Sequence, residues 1–371
     1  MRRLARRAAR EPGPDARRSA AMTSPPGGQR AGLLVLVCLL CGRAGLVAAE
    51  EDTAAVVPES LSYPFRWTAT GPLVAPVRSS EDQYDSIKDP SIVRYGGEWH
   101  LFCSVRGRKR SHQIEYLTFK DWRRVGQAKR RMLAVSDGFY CAPQVFYFTP
   151  HKKWYLICQA SSEDWDPKYQ AAYATAADIA DPDSWSRLRP LGHRPADGKM
   201  GLDFWVICDA TRAHLFFTTL DGRMWREETR LADFPGGWSA PALALRGDIF
   251  EASHIYRLKG MQKFLALIEA QAGGRRYFKA YLADRLDGKW TPPAASRKRP
   301  FASLANVAFD GEPWTTSFSH GELIRASHDE HLEVDPKDLR FLFQGVSDAD
   351  RKGKPYGRIP WRLGLLKRTR P

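Results

Sequence analysis

The stretch Ser86–Val105, "SIKDPSIVRYGGEWHLFCSV", decides the fold. An apolar run, a Gly96-Gly97 turn and a second apolar run read as a β-hairpin. Its first strand opens on an acid, Asp89, set between Lys88 and Pro90. Alone, an acid at the mouth of a strand is a turn cap in water. Its meaning changes once the rest of the chain is laid beside it.

Four later stretches have the same shape. "APQVFYFTPHKKWYLICQA" starts at Ala142, "DFWVICDATRAHLFFTT" at Asp203, "EASHIYRLKGMQKFLALIEA" at Glu251 and "NVAFDGEPWTTSFSHG" at Asn306. Each begins with a polar or small residue, runs into an apolar strand, turns and returns. Further strand-like pieces such as "QIEYLTF", "QAAYATA", "RMWREET" and "RYFKAYLA" follow. About four strands per unit, repeated five times, predict an all-β chain folded as a five-bladed β-propeller. The innermost strand of each blade then lines a central channel. Equivalent first positions form a ring around one axis: Asp89, Ala142, Asp203, Glu251 and Asn306. Three are carboxylates, and Asn306 is the only Asn in the chain.

The bulk numbers suit such a fold. The chain has 371 residues, 43% hydrophobic and 12% aromatic, enough for a sizeable core. The formal net charge is +15. Nine Arg against Glu11 and Asp15 place +7 of it in residues 1–49, leaving +8 for the remainder. That balance suits acidic polysaccharides or a soluble surface. No basic stripe with interleaved aromatics is present, which sets nucleic acid aside.

Residues 31–42, "AGLLVLVCLLCG", form an apolar run too short for a membrane span. With the basic region before it and the small-residue site after it, it reads as a secretory signal peptide. Met22 would give a signal of normal length, with cleavage near Ala49; an uncleaved signal anchor is the alternative. The expected organisation is a basic region and signal over 1–49, a linker over 50–62 and a propeller over 63–371. The mature protein is expected to be extracellular, free of the membrane and monomeric. Cys38 and Cys41 leave with the signal. Cys103, Cys141, Cys158 and Cys208 permit disulfides, but all sit in apolar runs that also suit buried thiols.

Three carboxylates on one axis repel one another and push their pKa values apart. Glycoside hydrolysis uses such a set: one carboxyl protonated to assist the leaving group, one ionised to activate water or attack carbon. A third, charged, neighbour keeps the acid protonated. Lys88 beside Asp89 favours an ionised base. The apolar flanks of Glu251 in "DIFEASHIY" favour a protonated acid. A wide funnel suits the inverting geometry. No Gly-rich cofactor loop, nucleophile elbow or HExxH is present.

At "KDPSIV", "DPDSW", "IFEASHIYRL", "FLALIEAQAGGRRYFKAYLADRLDGKWTP", "PFASLANVAF", "WTTSFSHGELIR", "VDPKDLRFLFQG" and "PWRLGLL" the sequence resembles glycoside hydrolase family 62, the α-L-arabinofuranosidases. The resemblance runs from about residue 63 to the C-terminus. It implies a five-bladed propeller and an inverting enzyme that removes single arabinofuranose groups from arabinoxylan or arabinan. It makes Asp89 the general base, Glu251 the general acid and Asp203 the group that tunes and orients the acid. Lys88 would bind the sugar, with Gln144, Gln159 and Asn306 facing the pocket and Trp361 stacking on a xylose ring. His320 would lie near a structural, largely water-coordinated calcium ion on the axis. The sequence departs from the family at Ser317-Phe318, at Glu322 and at Ala160, where a Trp often walls the pocket and Trp165 is a candidate replacement. A related furanosidase with a changed pocket, or a carbohydrate-binding propeller without turnover, are the alternative readings.

Overall fold

In a computed structural model, which describes residues 57–77 and 82–369, the chain is nearly all β and forms five sheets in a propeller. The signal, Cys38 and Cys41 lie outside the described residues. Blade 1 comprises Tyr84–Tyr95, Glu98–Gly107, Gln113–Phe119 and Lys129–Met132. Blade 2 comprises Tyr140–Phe148, Lys153–Ser161, Tyr169–Ala176 and Arg189–Pro190. Blade 3 comprises Leu202–Cys208, Arg212–Thr218, Arg223–Arg230 and Ala242–Arg246. Blade 4 comprises Glu251–Leu258, Phe264–Ala272, Arg275–Ala283 and Thr291–Ala294, with Glu333–Val334 added beside its inner strand. The inner strands are buried on both faces, so they read as apolar runs rather than alternations.

Blade 5 is built differently. Its inner strand is Ser317–Leu323, followed outward by Arg340–Val346 and Arg362–Arg368. The N-terminal strand Trp67–Ala69 then pairs antiparallel with Arg362–Arg368, and Val307–Phe309 pairs parallel with Trp67–Ala69 at the outer edge. First and last strands of the propeller therefore close the ring together. Trp67 is buried, and its indole N–H donates to Phe301 O at 2.6 Å. Asn306–Gly321 is thus not a hairpin: it starts at the outer edge and ends at the axis. Part of the expected linker also belongs to the fold. Glu59–Leu61 is a 3₁₀ turn, and Leu61 is fully buried in the core with Phe65 and Trp67.

Each inner strand slips register against its neighbour near the axis, and that of blade 1 slips a second time between Tyr84 and Ser86. The slips near the axis fall between Lys88 and Ser91, Cys141 and Gln144, Leu202 and Trp205, Glu251 and Ser253, and Ser319 and Gly321. Such bulges re-aim side chains. Asp89, Ala142, Asp203 and Ala252 sit in them with φ of 49°, 53°, 55° and 52°. A left-handed conformation at a residue with a Cβ costs about 1–2 kcal/mol, and here it recurs blade after blade. The structurally equivalent ring is therefore Asp89, Ala142, Asp203, Ala252 and His320. Glu251 lies one residue earlier, at the level of Lys88, Cys141, Leu202 and Ser319.

Two closed hydrogen-bond circuits fix these bulges. In the upper one, a side chain of one blade accepts the bulge N–H of the next. Ser104 Oγ takes Ala142 N–H (2.7 Å), Gln159 Oε1 takes Asp203 N–H (3.3 Å), and Asp203 Oδ2 takes Ala252 N–H (3.0 Å). Glu269 Oε2 takes His320 N–H (2.7 Å), and Gln344 Oε1 takes Asp89 N–H (2.8 Å). The lower circuit runs deeper. Ser91 Oγ accepts from Val145 N (3.0 Å), and Gln144 both accepts from and donates to Val206 (2.7 Å each). Trp205 Nε1 donates to Ile255 O (2.8 Å), His254 Nδ1 to Gly321 O (2.7 Å), and Ile92 N to Glu322 Oε2 (2.9 Å). Buried backbone groups at a propeller axis need such partners, because the inner strands have a free edge there.

Candidate active site

The bulges bring Asp89, Asp203 and His320 together. His320 Nδ1 stands 3.5 Å from Asp89 Oδ1 and 3.8 Å from Asp203 Oδ1. Lys88 Nζ is 3.9 Å from Asp89 Oδ2. All four residues are buried. His320 packs edge-on against His254 (centroids 4.9 Å apart), which stacks on Trp205 at 4.1 Å. Its main chain is pinned by Glu269, so the imidazole is held between the two carboxylates.

The same neighbours split the carboxylates electrostatically. Burial pushes the Asp89 carboxyl up, but Lys88 and His320 outweigh it and hold the group below its ordinary value. Burial, then Glu251, then Asp89 push Asp203 well above its ordinary value. Burial pulls Lys88 down, and the Asp89 charge beside it more than reverses that, so the ammonium stays charged. One carboxylate is thus set to accept a proton beside another that holds one.

Glu251 has a partner that the sequence reading missed. Its Oε1 is paired with Arg276, whose Nη1 also reaches Glu269 Oε1 at 3.0 Å and Ser319 Oγ at 3.1 Å. The apolar flanks of Glu251 therefore do not describe its surroundings. Glu269 is fully buried; burial lifts it to about 7 against the pull of Arg276. A chain of polar contacts runs from Asp89 N–H through Gln344, Ser319 and Glu269 to Arg276 and Glu251. None of Arg276, Glu269 and Gln344 lies on an inner strand, so aligning hairpin starts could not find them. Their signal was local: buried-strand polar residues in "LIEAQAGGRRY" and "RFLFQG".

Several expected pocket residues have other duties. Gln144 is fully buried, and both ends of its amide are taken by Val206. Gln159 accepts from Asp203 N–H and so positions that carboxylate. Asn306 lies at the outer edge of blade 5; its amide donates to Phe65 O (3.0 Å) and Phe301 O (2.9 Å) and accepts from Ser303 N (2.7 Å). It is a turn lock outside the ring. Trp361 is buried, packed with Val346 and Ile359, and its ring lies 5.7 Å from the guanidinium carbon of Arg276. The half-exposed aromatic at the mouth is Tyr356, whose ring lies 5.4 Å from Lys88 Nζ and 5.8 Å from the Arg276 guanidinium carbon. Ala160 is fully buried within blade 2, paired with Tyr140 and Gln170, rather than forming a pocket wall. The four described cysteines are free and buried.

The donor set does not fit a calcium ion held directly by protein oxygens. Gln144 and Glu322, the oxygen-bearing axis residues below His320, already bind Val206, Ile92 N–H and Arg325 (2.6 Å). Among the described residues, no group of three or more His, Cys, Asp or Glu is placed to share one ion.

The family model described as "Glycosyl hydrolase family 62" matches residues 66–367. The chain belongs to glycosyl hydrolase family 62. Alpha-L-arabinofuranosidase C of Cellvibrio japonicus is 41% identical over 314 residues, covering 83% of this chain and 48% of that protein. The chain thus spans about half the length of that curated relative. Among solved family 62 structures, the catalytic domain of the Coprinopsis cinerea α-L-arabinofuranosidase is 37% identical, with a TM-score of 0.77 and coverage of 83% and 98%. The Podospora anserina α-L-arabinofuranosidase, solved with cellotriose, is 36% identical, with a TM-score of 0.76 and coverage of 84% and 99%. A Lactobacillus brevis α-L-arabinofuranosidase at 16% identity and a TM-score of 0.56 shares the fold.

Proposed function

We propose that the protein is an inverting exo-α-L-arabinofuranosidase that releases single arabinofuranosyl side groups from arabinoxylan or arabinan. The observation that carries this reading is the split between Asp89, kept ionised by Lys88 and His320, and the Asp203–Glu251 pair across the ring. Asp89 takes a proton from water, and that water attacks the anomeric carbon. Glu251 gives a proton to the departing glycosidic oxygen. Two separate carboxyl groups with water between them are what inversion requires. Asp203 accepts the Ala252 N–H beside Glu251 and, raised well above its ordinary value by burial and by Glu251, holds the proton of the pair that Glu251 delivers. Lys88 and Tyr356 border the place a sugar would enter. Export with loss of residues 1–49 belongs to the same reading, because a polysaccharide substrate lies outside the cell.

The test is incubation with a chromogenic α-L-arabinofuranoside and with wheat arabinoxylan, beside a Glu251→Gln variant. Release of arabinose by the wild type, reduced by a factor of about 10²–10⁴ in the variant for lack of the acid, is expected. Proton NMR taken early should show the β-anomer first. Binding without release would identify a lectin, and turnover of a different furanoside a changed pocket.

A further inference from the structure

Among the described residues, the loops at the upper ends of blades 1 and 5 carry several cations that no carboxylate pairs. Arg106 is the last residue but one of the second strand of blade 1, and Arg108, Lys109 and Arg110 follow that strand in the loop to the third. Opposite stands the blade 5 loop that bears Lys352, Lys354 and the Tyr356–Arg358 turn. Among the described residues, the carboxylates of Asp82 and Asp85 lie against these loops, and both are occupied. Asp82 accepts the backbone N–H groups of Gln83, Arg108, Lys109 and Arg110. Asp85 is shared by Arg108 (3.0 Å) and Arg358 (2.8 Å). Among the described residues, no carboxylate lies within 4 Å of the charged ends of Arg106, Lys109, Lys352 or Lys354. The Arg106 guanidinium lies flat on Gly357, where a Cβ would come within 2.5–2.6 Å of its three nearest atoms. Gly357 is the neighbour of Tyr356, which adjoins Lys88. The unmatched cation therefore sits at the rim of the candidate arabinose pocket, held by backbone packing instead of an acid.

We infer that this rim binds a carboxylate of the substrate, so that the protein takes arabinose preferentially from uronate-bearing polysaccharide. The inference deepens the arabinofuranosidase reading and rests on it for the identity of the sugar released. A planar guanidinium pairs two-pronged with a carboxylate, which suits a uronic acid on the main chain. The surrounding lysines raise the local concentration of an anionic polymer, an effect that salt screens over about 10 Å at 0.1 M. Neutral arabinoxylan gains nothing from either.

The probe is glucuronoarabinoxylan, compared with the same preparation after chemical reduction of its carboxyl groups. Two readouts are taken: retention of the protein in gels that contain either polymer, and the ratio of kcat/KM for arabinose release from the two. About fivefold tighter retention on the native polymer is expected, the equivalent of roughly 1 kcal/mol for a partly exposed ion pair. The preference should fall toward one in 0.5 M NaCl and in the Arg106→Gln variant, and further with Arg358→Gln added. Equal retention of wild type on native and reduced polymers overturns the inference even if arabinose is released from both. An equal preference for any polyanion, tested with heparin, also overturns it in favour of unspecific charge attraction. Absence of arabinose release from every substrate would instead strike the underlying activity, while the retention assay still decides the carboxylate site.

Discussion

Asp203 Oδ2 accepts the backbone N–H of Ala252 at 3.0 Å, and so the carboxylate of one bulge holds the bulge of the next blade. In the other four blades this bond is made by a second-strand residue: Ser104, Gln159, Glu269 or Gln344. Blade 3 has Thr218 at the matching place, paired with Leu202, and its buried hydroxyl has no hydrogen-bond partner. Asp203 thus closes the circuit in place of Thr218. This fixes its carboxyl next to Glu251, and burial together with that neighbour pushes it up.

The two duties of Asp203 separate by substitution. Asp203→Asn keeps an oxygen for Ala252 N–H and should leave the unfolding free energy within about 1 kcal/mol of wild type. It removes the ionisable group and should lower kcat by a factor of about 10²–10⁴. Asp203→Ala loses both, and the orphaned N–H should cost about 1–3 kcal/mol. Urea unfolding beside arabinose release measures this; equal stability of the two variants would remove Asp203 from the circuit.

As the proposed base, Asp89 should set the acid limb of activity. Its folded pKa lies below the ordinary 3.8, so it remains ionised until the pH falls below that value. The sign is that of a depressed carboxyl: its stabilising contribution is present above 3.8 and is lost as pH falls through the folded value. Lys88→Met removes the cation that does most to depress it, so the acid limb of kcat/KM should move to higher pH. Asp89→Asn should abolish turnover without unfolding the protein, because Asn tolerates the left-handed backbone and keeps the N–H to Gln344. An acid limb unmoved in Lys88→Met would show that another group sets it.

The ring was legible in outline. Asp89 and Asp203 stood out because a bulge needs one residue with unusual backbone and the repeat places it at the same point in each unit. The sequence reading slipped by one at Glu251, since the bulge residue of blade 4 is Ala252, which carries no polar group to mark it, and the acid stands one place before it. It failed at Asn306 for a topological reason. The fifth blade borrows Trp67–Ala69 from the far end of the chain, and no local pattern announces such a pairing. Gln144 was misplaced because an amide that saturates the neighbouring strand looks, in sequence, like one aimed at a sugar.

Arg276 bridges Glu251 and Glu269, and its removal should be felt twice. Arg276→Met leaves Glu269 buried with its ion-pair partner gone, which should cost about 3–5 kcal/mol. Adding Glu269→Gln removes the stranded charge and should recover much of that stability. Activity should stay low in both, because the Glu251 carboxyl has lost its anchor. Chemical denaturation of the two variants decides this, and a double variant no more stable than the single would place the cost elsewhere.

Glu227 gives the fold a weakness at neutral and higher pH. It is fully buried in blade 3; its Oε1 accepts Arg194 N–H at 3.0 Å, while Oε2 has no hydrogen-bond partner. Burial lifts its pKa from 4.5 to about 7. For a carboxyl raised in the folded state, the unfolded chain releases its proton first. The protonated group fits the fold below 4.5, and stability falls as pH rises from 4.5 to about 7. Above that window the charged form costs about 3 kcal/mol, since each tenfold change in proton affinity is worth about 1.4 kcal/mol. Glu227→Gln matches the protonated shape and carries no charge at any pH. It should therefore raise the unfolding free energy by about 2–3 kcal/mol at pH 8 and change it little at pH 4. Urea unfolding at both pH values tests this, and an equal gain at pH 4 would trace the effect to packing instead of ionisation.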